Sequence, residues 1–481
     1  MQLRPAGPAA PVVAGAAISL VVAVGAGLLG SCGPDGKPRP AARPSVPAAP
    51  PEPSPAGTQA PVVAPGYSPF KAVIHDTFPD PAMIKVGATY YAYGTNDPGA
   101  TLPVATAPSA TGPWKRQEGD ALPVLPGWAT RGRTWAPEVV PPREEGGRYL
   151  LYFTARRKDR DKQCIGVATG TSPAGPFTPV EGDPLVCPLN LGGAIDPASF
   201  VEDDGTRYLL YKTDARKTAA IWLVKLSRDG LYPAGPPRRI LARDKSEPVL
   251  VEAPDMVKRG GKYVLLYSAG WYFRDNYQTR YATAPSIGGP YTRGGEVQST
   301  ARYGKKIIGP GSADVVTDEY GDHLVFHGIV RSHGGSSVVR SMYVAALGWN
   351  GSRPVLHGVP VRYEAERARL NGCTSVAKRP RASGGRALAR FARGDCRVEL
   401  DVVAPAAGRY RARVGFANRS GRPARQELTV NGAAPVPVEL RGTGGDDWAS
   451  QDVTVELNAG KNTLGLRSLG GAGQIDYIEL S

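Results

Sequence analysis

Five carboxylates recur along the 481-residue chain at a near-constant interval: Asp80, Glu138, Asp196, Glu252 and Asp314 are separated by 58, 58, 56 and 62 residues. Each opens the same layout, an acidic residue beside Pro or Gly, then hydrophobics, a polar glycine turn and an aromatic-rich segment. Asp80-Pro81-Ala82-Met83-Ile84 leading to Tyr90-Tyr91-Ala92-Tyr93 is one copy, and Asp196-Pro197-Ala198-Ser199-Phe200 leading to Tyr208-Leu209-Leu210-Tyr211 is another. Carboxylates brought together in a cleft repel and raise one another's pKa. Such a gathering serves a cation site, a general acid/base pair, or ion-paired structure. Acid/base work on a glycosidic bond needs one ionised and one protonated carboxyl group, and a third carboxylate can hold the acid's pKa up.

A repeat of this length, built of short strands with Gly and Pro turns, fits one four-stranded propeller blade. A second motif closes several copies: Gly112-Pro113-Trp114, Gly175-Pro176-Phe177 and Gly289-Pro290-Tyr291. Five copies imply five blades around an axis, with the first strand of each lining a central channel. Asp80 and Glu252 then face one small pocket despite their separation in sequence. The 60 Gly and 47 Pro exclude a helical bundle and suit many short strands.

Pro79-Asp80-Pro81, Ala194-Ile195-Asp196-Pro197 and Val251-Glu252-Ala253-Pro254-Asp255 resemble, in order and spacing, glycoside hydrolase family 43, whose members are five-bladed propellers. Trp135-Ala136-Pro137-Glu138, Gly309-Pro310-Gly311 and Arg340-Ser341-Met342-Tyr343 match further motifs of that family. The resemblance implies Asp80 as the general base that activates water, Glu252 as the general acid, and Asp196 as the residue that tunes and orients the acid. It implies Trp135 and Arg340 around the sugar being released, and inversion at the anomeric carbon. Asp76 is a rival base, out of phase with the repeats. Glu138 and Asp314 are read as structural, and Trp271 with Tyr272 as a sugar platform. Ser312 stands where many members have a histidine serving a channel cation, so no metal is assigned there and no cofactor to catalysis.

The apolar run Pro11 to Leu29, followed by Leu29-Gly30-Ser31-Cys32, resembles a bacterial lipobox. It implies a signal peptide over 1–31 and lipidation of Cys32. Residues 33–65 hold 11 prolines and read as an extended tether within 32–65. Of the five cysteines, the lipid takes Cys32. Cys164 with Cys187 and Cys373 with Cys396, each 23 residues apart, are then expected as disulfides of an exported protein. The formal charge of +15 is spread along the chain, with no basic helix, zinc pattern or RNA-binding motif, so nucleic acid is not the expected partner.

From about Tyr363 the pattern changes to alternating polar and apolar residues, as in Arg397–Val402, Arg409–Val414 and Asp452–Leu457, with turns such as Asn431-Gly432. This predicts a β-sandwich (jelly-roll). Tyr363-Glu364-Ala365-Glu366 and Ile475-Asp476-Tyr477-Ile478 look like the two ends of carbohydrate-binding modules of families 6 and 35. That likeness implies a structural calcium held by Glu364, Glu366 and Asp476, a chemically sound set of hard oxygen ligands.

The sequence therefore predicts an all-β protein: a propeller over 66–358 and a β-sandwich module over 359–481. The expected activity is an inverting glycosidase on plant pentose polysaccharides or oligosaccharides, foremost an exo-acting α-L-arabinofuranosidase. β-Xylosidase and endo-1,5-α-L-arabinanase are the alternatives, and a glycan-binding surface lipoprotein is the non-enzyme one. The expected setting is a monomer, lipid-anchored on the outer face of a bacterial cell membrane.

Overall fold

A computed structural model describes residues 67–215, 219–372, 375–391, 396–444 and 447–481. Cys32, the segments 1–31 and 32–65 and Cys373, with its expected bridge to Cys396, lie outside the described residues. The described residues are all-β, with three short 3-10 turns.

Five antiparallel four-stranded sheets, over 82–116, 129–179, 194–242, 251–299 and 308–356, form the five blades of a propeller. The innermost strands, Ala82–Val86, Ala129–Val140, Ala194–Val201, Val251–Arg259 and Ile308–Asp318, line the central channel. The aromatic-rich second strands explain why blades stack. Their large side chains fill a separate apolar core at each of the five junctions, among them Phe153 between blades 1 and 2, Tyr211 between 2 and 3, Tyr267 between 3 and 4, and Phe326 between 4 and 5. Tyr90 fills the junction of blades 5 and 1. The closing motif adds a plug, since Trp114, Phe177 and Tyr291 join these same cores. Removing one fully buried ring, as in Phe177→Ala, should cost about 3–5 kcal/mol.

The ring is sealed by the chain ahead of blade 1. Val73 N–H donates to Met342 O (2.8 Å), Met342 N–H to Ile74 O (3.2 Å), and Phe78 N–H to Arg340 O (2.7 Å). Cys164 and Cys187 form a disulfide in blade 2.

Each innermost strand carries a kink, within it in blades 2 to 5 and two residues ahead of it in blade 1. Asp80, Ala136, Asp196, Ala253 and Ser312 all have positive φ, between 43° and 55°. Left-handed backbone costs a non-glycine residue roughly 1–2 kcal/mol, and the first four are followed by proline. The pairing register shifts beside the kink in blades 2 to 5. A bulge of this kind breaks the alternation of the strand and re-aims its side chains.

The C-terminal part is a β-sandwich. One sheet contains Val361–Glu364, Ser375–Lys378, Arg386–Phe391, Gly408–Ala417, Ala449–Leu457 and Gly473–Leu480. The other contains Arg369–Asn371, Arg397–Ala404, Ala424–Val430, Val436–Leu440 and Gly460–Gly470. Alternate residues such as Val398, Leu400 and Val402 point into one core with Phe391 and Phe416. Asn431 and Gly432 both take positive φ, as a tight hairpin turn demands.

Candidate active site

A cavity of about 400 Å³ on the propeller is lined by Asp80, Asp196 and Glu252 together with Trp135, Trp271, Tyr272 and Arg340. The residues expected as acid, base, modulator and sugar contacts thus line one cavity. Asp76 lines a different hollow, with Asp97 and Arg116.

The residues reach the cavity from two positions in each repeat. Asp80 and Asp196 are the kinked residues of blades 1 and 3. Glu252 precedes the kink of blade 4, as Trp135 precedes that of blade 2. Glu138, Asp255 and Asp314 lie two residues beyond the kinks of blades 2, 4 and 5 and line a narrower channel with Asp80 and Asp196. The evenly spaced carboxylates are therefore not one repeated position, and Asp255, not Glu252, is the counterpart of Glu138 and Asp314.

Asp80 is enclosed by donors. Arg340 Nη1 donates to Oδ1 (2.9 Å) and Thr95 Oγ1 to Oδ2 (2.7 Å). The Asp80 backbone N–H donates to His327 Nδ1 (3.1 Å). Burial pushes the carboxyl up, but the Arg340 charge foremost, with the Thr95 hydroxyl, outweighs it and holds Asp80 well below the usual carboxylate range. His327 itself is driven down to about 4, by burial first and then by Arg340, so its ring is neutral at pH 7.

Asp196 is displaced in the opposite direction. Burial first, then the neighbouring Glu252 charge, raise it well above the usual range against the pull of Lys212. Its Oδ2 accepts the Ala253 N–H (2.9 Å). Glu252 accepts from the Tyr277 hydroxyl at Oε1 (2.9 Å) and from Lys212 Nζ at Oε2 (3.3 Å). Asp196 is thereby pushed toward its protonated form, while Asp80, on the same cavity, is held ionised.

Lys212, Tyr277, His327 and Thr95 were missed by sequence reasoning. Thr95, just past the second strand of its blade, and Thr154, Lys212, Ser268 and His327, on theirs, occupy equivalent places, two residues past the partner of the channel position. Four of them accept the N–H of the kinked residue on the next blade: Thr95 from Ala136 (3.0 Å), Thr154 from Asp196 (3.1 Å), Ser268 from Ser312 (2.8 Å) and His327 from Asp80. An ammonium has no lone pair to offer. At the fifth junction Ala253 N–H therefore turns to Asp196, and Lys212 spans Glu252 and Asp214 Oδ1 (3.0 Å). Lys212 is buried, yet those carboxylates hold its pKa above the usual value. The one break in a ring of acceptors falls beside Glu252.

The acidic residues of the C-terminal module also converge. Ser383 N–H donates to Asp476 Oδ2 (2.9 Å) and Ser383 Oγ to Glu364 Oε1 (2.8 Å). Burial, with the charges of Glu364 and Glu366, pushes Asp476 up to about 6. Glu364 Oε2, Glu366 Oε2 and Asp476 Oδ1 are buried without a hydrogen-bond partner among the described residues. As placed, no three acidic, His or Cys side chains among the described residues form a closed metal cage. The orphaned oxygens nevertheless fit a hard cation.

Residues 70–352 match the glycosyl hydrolases of family 43. A β-D-galactofuranosidase of Aspergillus niger is 33% identical over 34% of this chain, and the match spans 47% of that protein. The extracellular endo-α-(1→5)-L-arabinanase 1 of Bacillus subtilis is 27% identical over 60% of this chain and 91% of its own length. Among solved structures, a thermostable family-43 glycoside hydrolase superposes with a TM-score of 0.51 at 26% identity, covering 58% of this chain and 93% of that one. With more than half of the chain inside the family match and its carboxylates gathered in one cavity, this protein belongs to glycosyl hydrolase family 43 and is a glycoside hydrolase.

Proposed function

We propose that the cavity hydrolyses a terminal pentosidic bond with inversion, and that the protein is an exo-acting α-L-arabinofuranosidase. The observation that carries the reading is the opposed displacement of two carboxyl groups in one cavity: Asp80 held ionised by Arg340, and Asp196, beside Glu252, pushed toward its protonated form. Glu252, as the acid, delivers a proton to the glycosidic oxygen as the bond to the anomeric carbon breaks. Asp80 accepts a proton from a water attacking the opposite face of the sugar, so a covalent sugar–enzyme intermediate has no place. Asp196 keeps the acid protonated, and Lys212 confines the remaining negative charge. Trp135, Trp271 and Tyr272 supply apolar faces, while Arg340 packs on the Tyr272 ring (4.5 Å) as it holds Asp80.

Furanose preference is supported by the relatives' names. One acts on galactofuranosides, and a 1→5-linked pentose must be a furanose, because its O5 is committed to the linkage. A cavity near the lower end of the ~300–1,000 Å³ spanned by ligand pockets favours a chain end over a chain interior. Plant arabinans and arabinose-bearing oligosaccharides are the proposed substrates, acted on outside the cell, as the name of the Bacillus subtilis relative supports. Cys32 is the proposed lipid attachment to the membrane. A structural calcium on Glu364, Glu366 and Asp476 is proposed for the C-terminal module, read as a carbohydrate-binding one.

A panel of aryl glycosides tests the reading. Turnover of the α-L-arabinofuranoside well above the β-xyloside is expected, with proton NMR showing the inverted anomer first. Preferred turnover of the xyloside would make the enzyme a β-xylosidase. The retained anomer would overturn Asp80 as a base.

A further inference from the structure

Arg133 lines the catalytic cavity and also a neighbouring hollow of about 500 Å³ on blade 2. Arg131 and Arg133 come from the first strand of that blade, Arg156 and Arg157 from the end of the second, and Lys158 and Arg160 from the turn that follows. Six cations meet only two carboxylates there. Asp161 engages Arg156 (2.8 Å), and Asp159 engages Arg157 at both oxygens (2.7 and 2.9 Å) with Arg160 at 3.7 Å. Arg131 donates to Pro123 O (2.5 Å). The side chains of Arg133 and Lys158 have no hydrogen bond or ion pair among the described residues.

A concave surface walled by one sign of charge focuses the field and concentrates the opposite charge. A neutral pentose polymer offers nothing to such a surface, whereas a carboxylate suits the guanidinium fork. We propose that this hollow seats the carboxylate of a uronic acid carried by the substrate close to the scissile bond. The enzyme would thus prefer arabinose linked to an acidic polysaccharide over a neutral one. The inference rests on the glycosidase reading of the adjoining cavity.

Calorimetric titration of the full chain with a uronate-bearing arabino-oligosaccharide and with its carboxyl-reduced twin tests it. Exposed ion pairs are individually weak, so together they should make the acidic ligand bind about tenfold more tightly. That advantage should shrink in high salt and disappear in an Arg131→Gln/Lys158→Gln double variant. Equal affinities, or an advantage that survives the double variant, would overturn the proposal. So would a single-stranded DNA oligonucleotide binding as tightly as the uronate, since the hollow would then be a general polyanion surface. Turnover of an aryl arabinofuranoside is read separately. Its absence with the affinity difference intact would sink the hydrolase reading and leave the hollow standing.

Discussion

The propeller holds two sets of buried carboxylates, and they differ in what surrounds them. Asp80, Asp196 and Glu252 on the cavity wall are matched by charged and hydroxyl side chains: Arg340, Lys212, Thr95 and Tyr277. Glu138, Asp255 and Asp314 in the channel are instead tied mainly to the backbone of the next blade. Glu138 accepts from Ser199 N–H (3.0 Å), Asp255 from Val315 N–H (3.1 Å) and Asp314 from Met83 N–H (2.7 Å). Burial first, and then the charge of Asp314, raises Glu138 well above its usual range and Asp255 to about 8, while burial raises Asp314 to about 6. Carboxylates recruited with cations can be set in opposite protonation states, and those left to backbone N–H groups become latches between blades that favour the neutral form.

The largest effects should fall on the cavity set. Asp80→Asn and Glu252→Gln should each cost about 10²–10⁴ in kcat while the protein still folds. An aryl glycoside with a good leaving group should partly spare Glu252→Gln and not Asp80→Asn. A comparable loss of kcat in Asp255→Asn would erase the distinction between the two sets.

Lys212→Met should lower kcat by about tenfold and move the alkaline limb of the pH–rate profile upward. Removing the ammonium takes away what favours ionisation of Asp196, so its proton is lost at higher pH. Arg340→Met should act on the other limb, raising the pKa of Asp80 and shifting acid inactivation upward. A uniform drop in rate with both limbs fixed would show that the two cations only pack.

The orphaned oxygens of Glu364, Glu366 and Asp476 form a third acidic set, with no direct ion pair among the described residues and without full backbone pairing. Chelation should lower the melting temperature of the full chain, by about 2.7 kcal/mol of stability if calcium stood at a hundred times its Kd. Asp476→Ala should remove that sensitivity, which differential scanning calorimetry would read.

The smallest effect belongs to the channel. Asp255 takes up its proton near pH 8 in the folded chain and near 4 when unfolded. Its contribution to stability is full below about pH 4 and is lost as pH rises toward 8. Asp255→Asn should therefore raise the melting temperature by a few °C at pH 8 and hardly at all at pH 4. Asparagine imitates the protonated carboxyl, keeping one acceptor for Val315 N–H.

The propeller was legible because its repeats carry Gly and Pro turns and aromatic second strands at one period, and each feature follows from blade stacking. The same repeats misled in detail. Aligning them on carboxylates placed Glu252 in register with Glu138, whereas the prolines, Pro81, Pro137, Pro197 and Pro254, mark the kinks correctly. Lys212 escaped notice because its meaning is an exception: it stands where Thr95, Thr154, Ser268 and His327 accept a hydrogen bond, and bulged pairing hides that column in the sequence. Tyr277 lies outside any repeat motif, and only the fold brings it to Glu252. In the C-terminal module the alternation was plain, but the pairing of strands far apart, such as Val361–Glu364 with Gly473–Leu480, was not written in local pattern.

The seam that seals the ring also sets when activity can first exist. Asp80 obtains His327 and Arg340 from residues 247 and 260 positions later in the chain. At about 5–20 residues per second, synthesis separates them by roughly 10–50 s. Throughout that interval a growing chain carries Asp80 without the guanidinium and the ring that fix its carboxyl and its backbone in the cavity, and any fragment ending before blade 5 stays that way. The Asp80 side of the cavity is therefore completed only with the final blade, so a chain released before it should lack hydrolase activity.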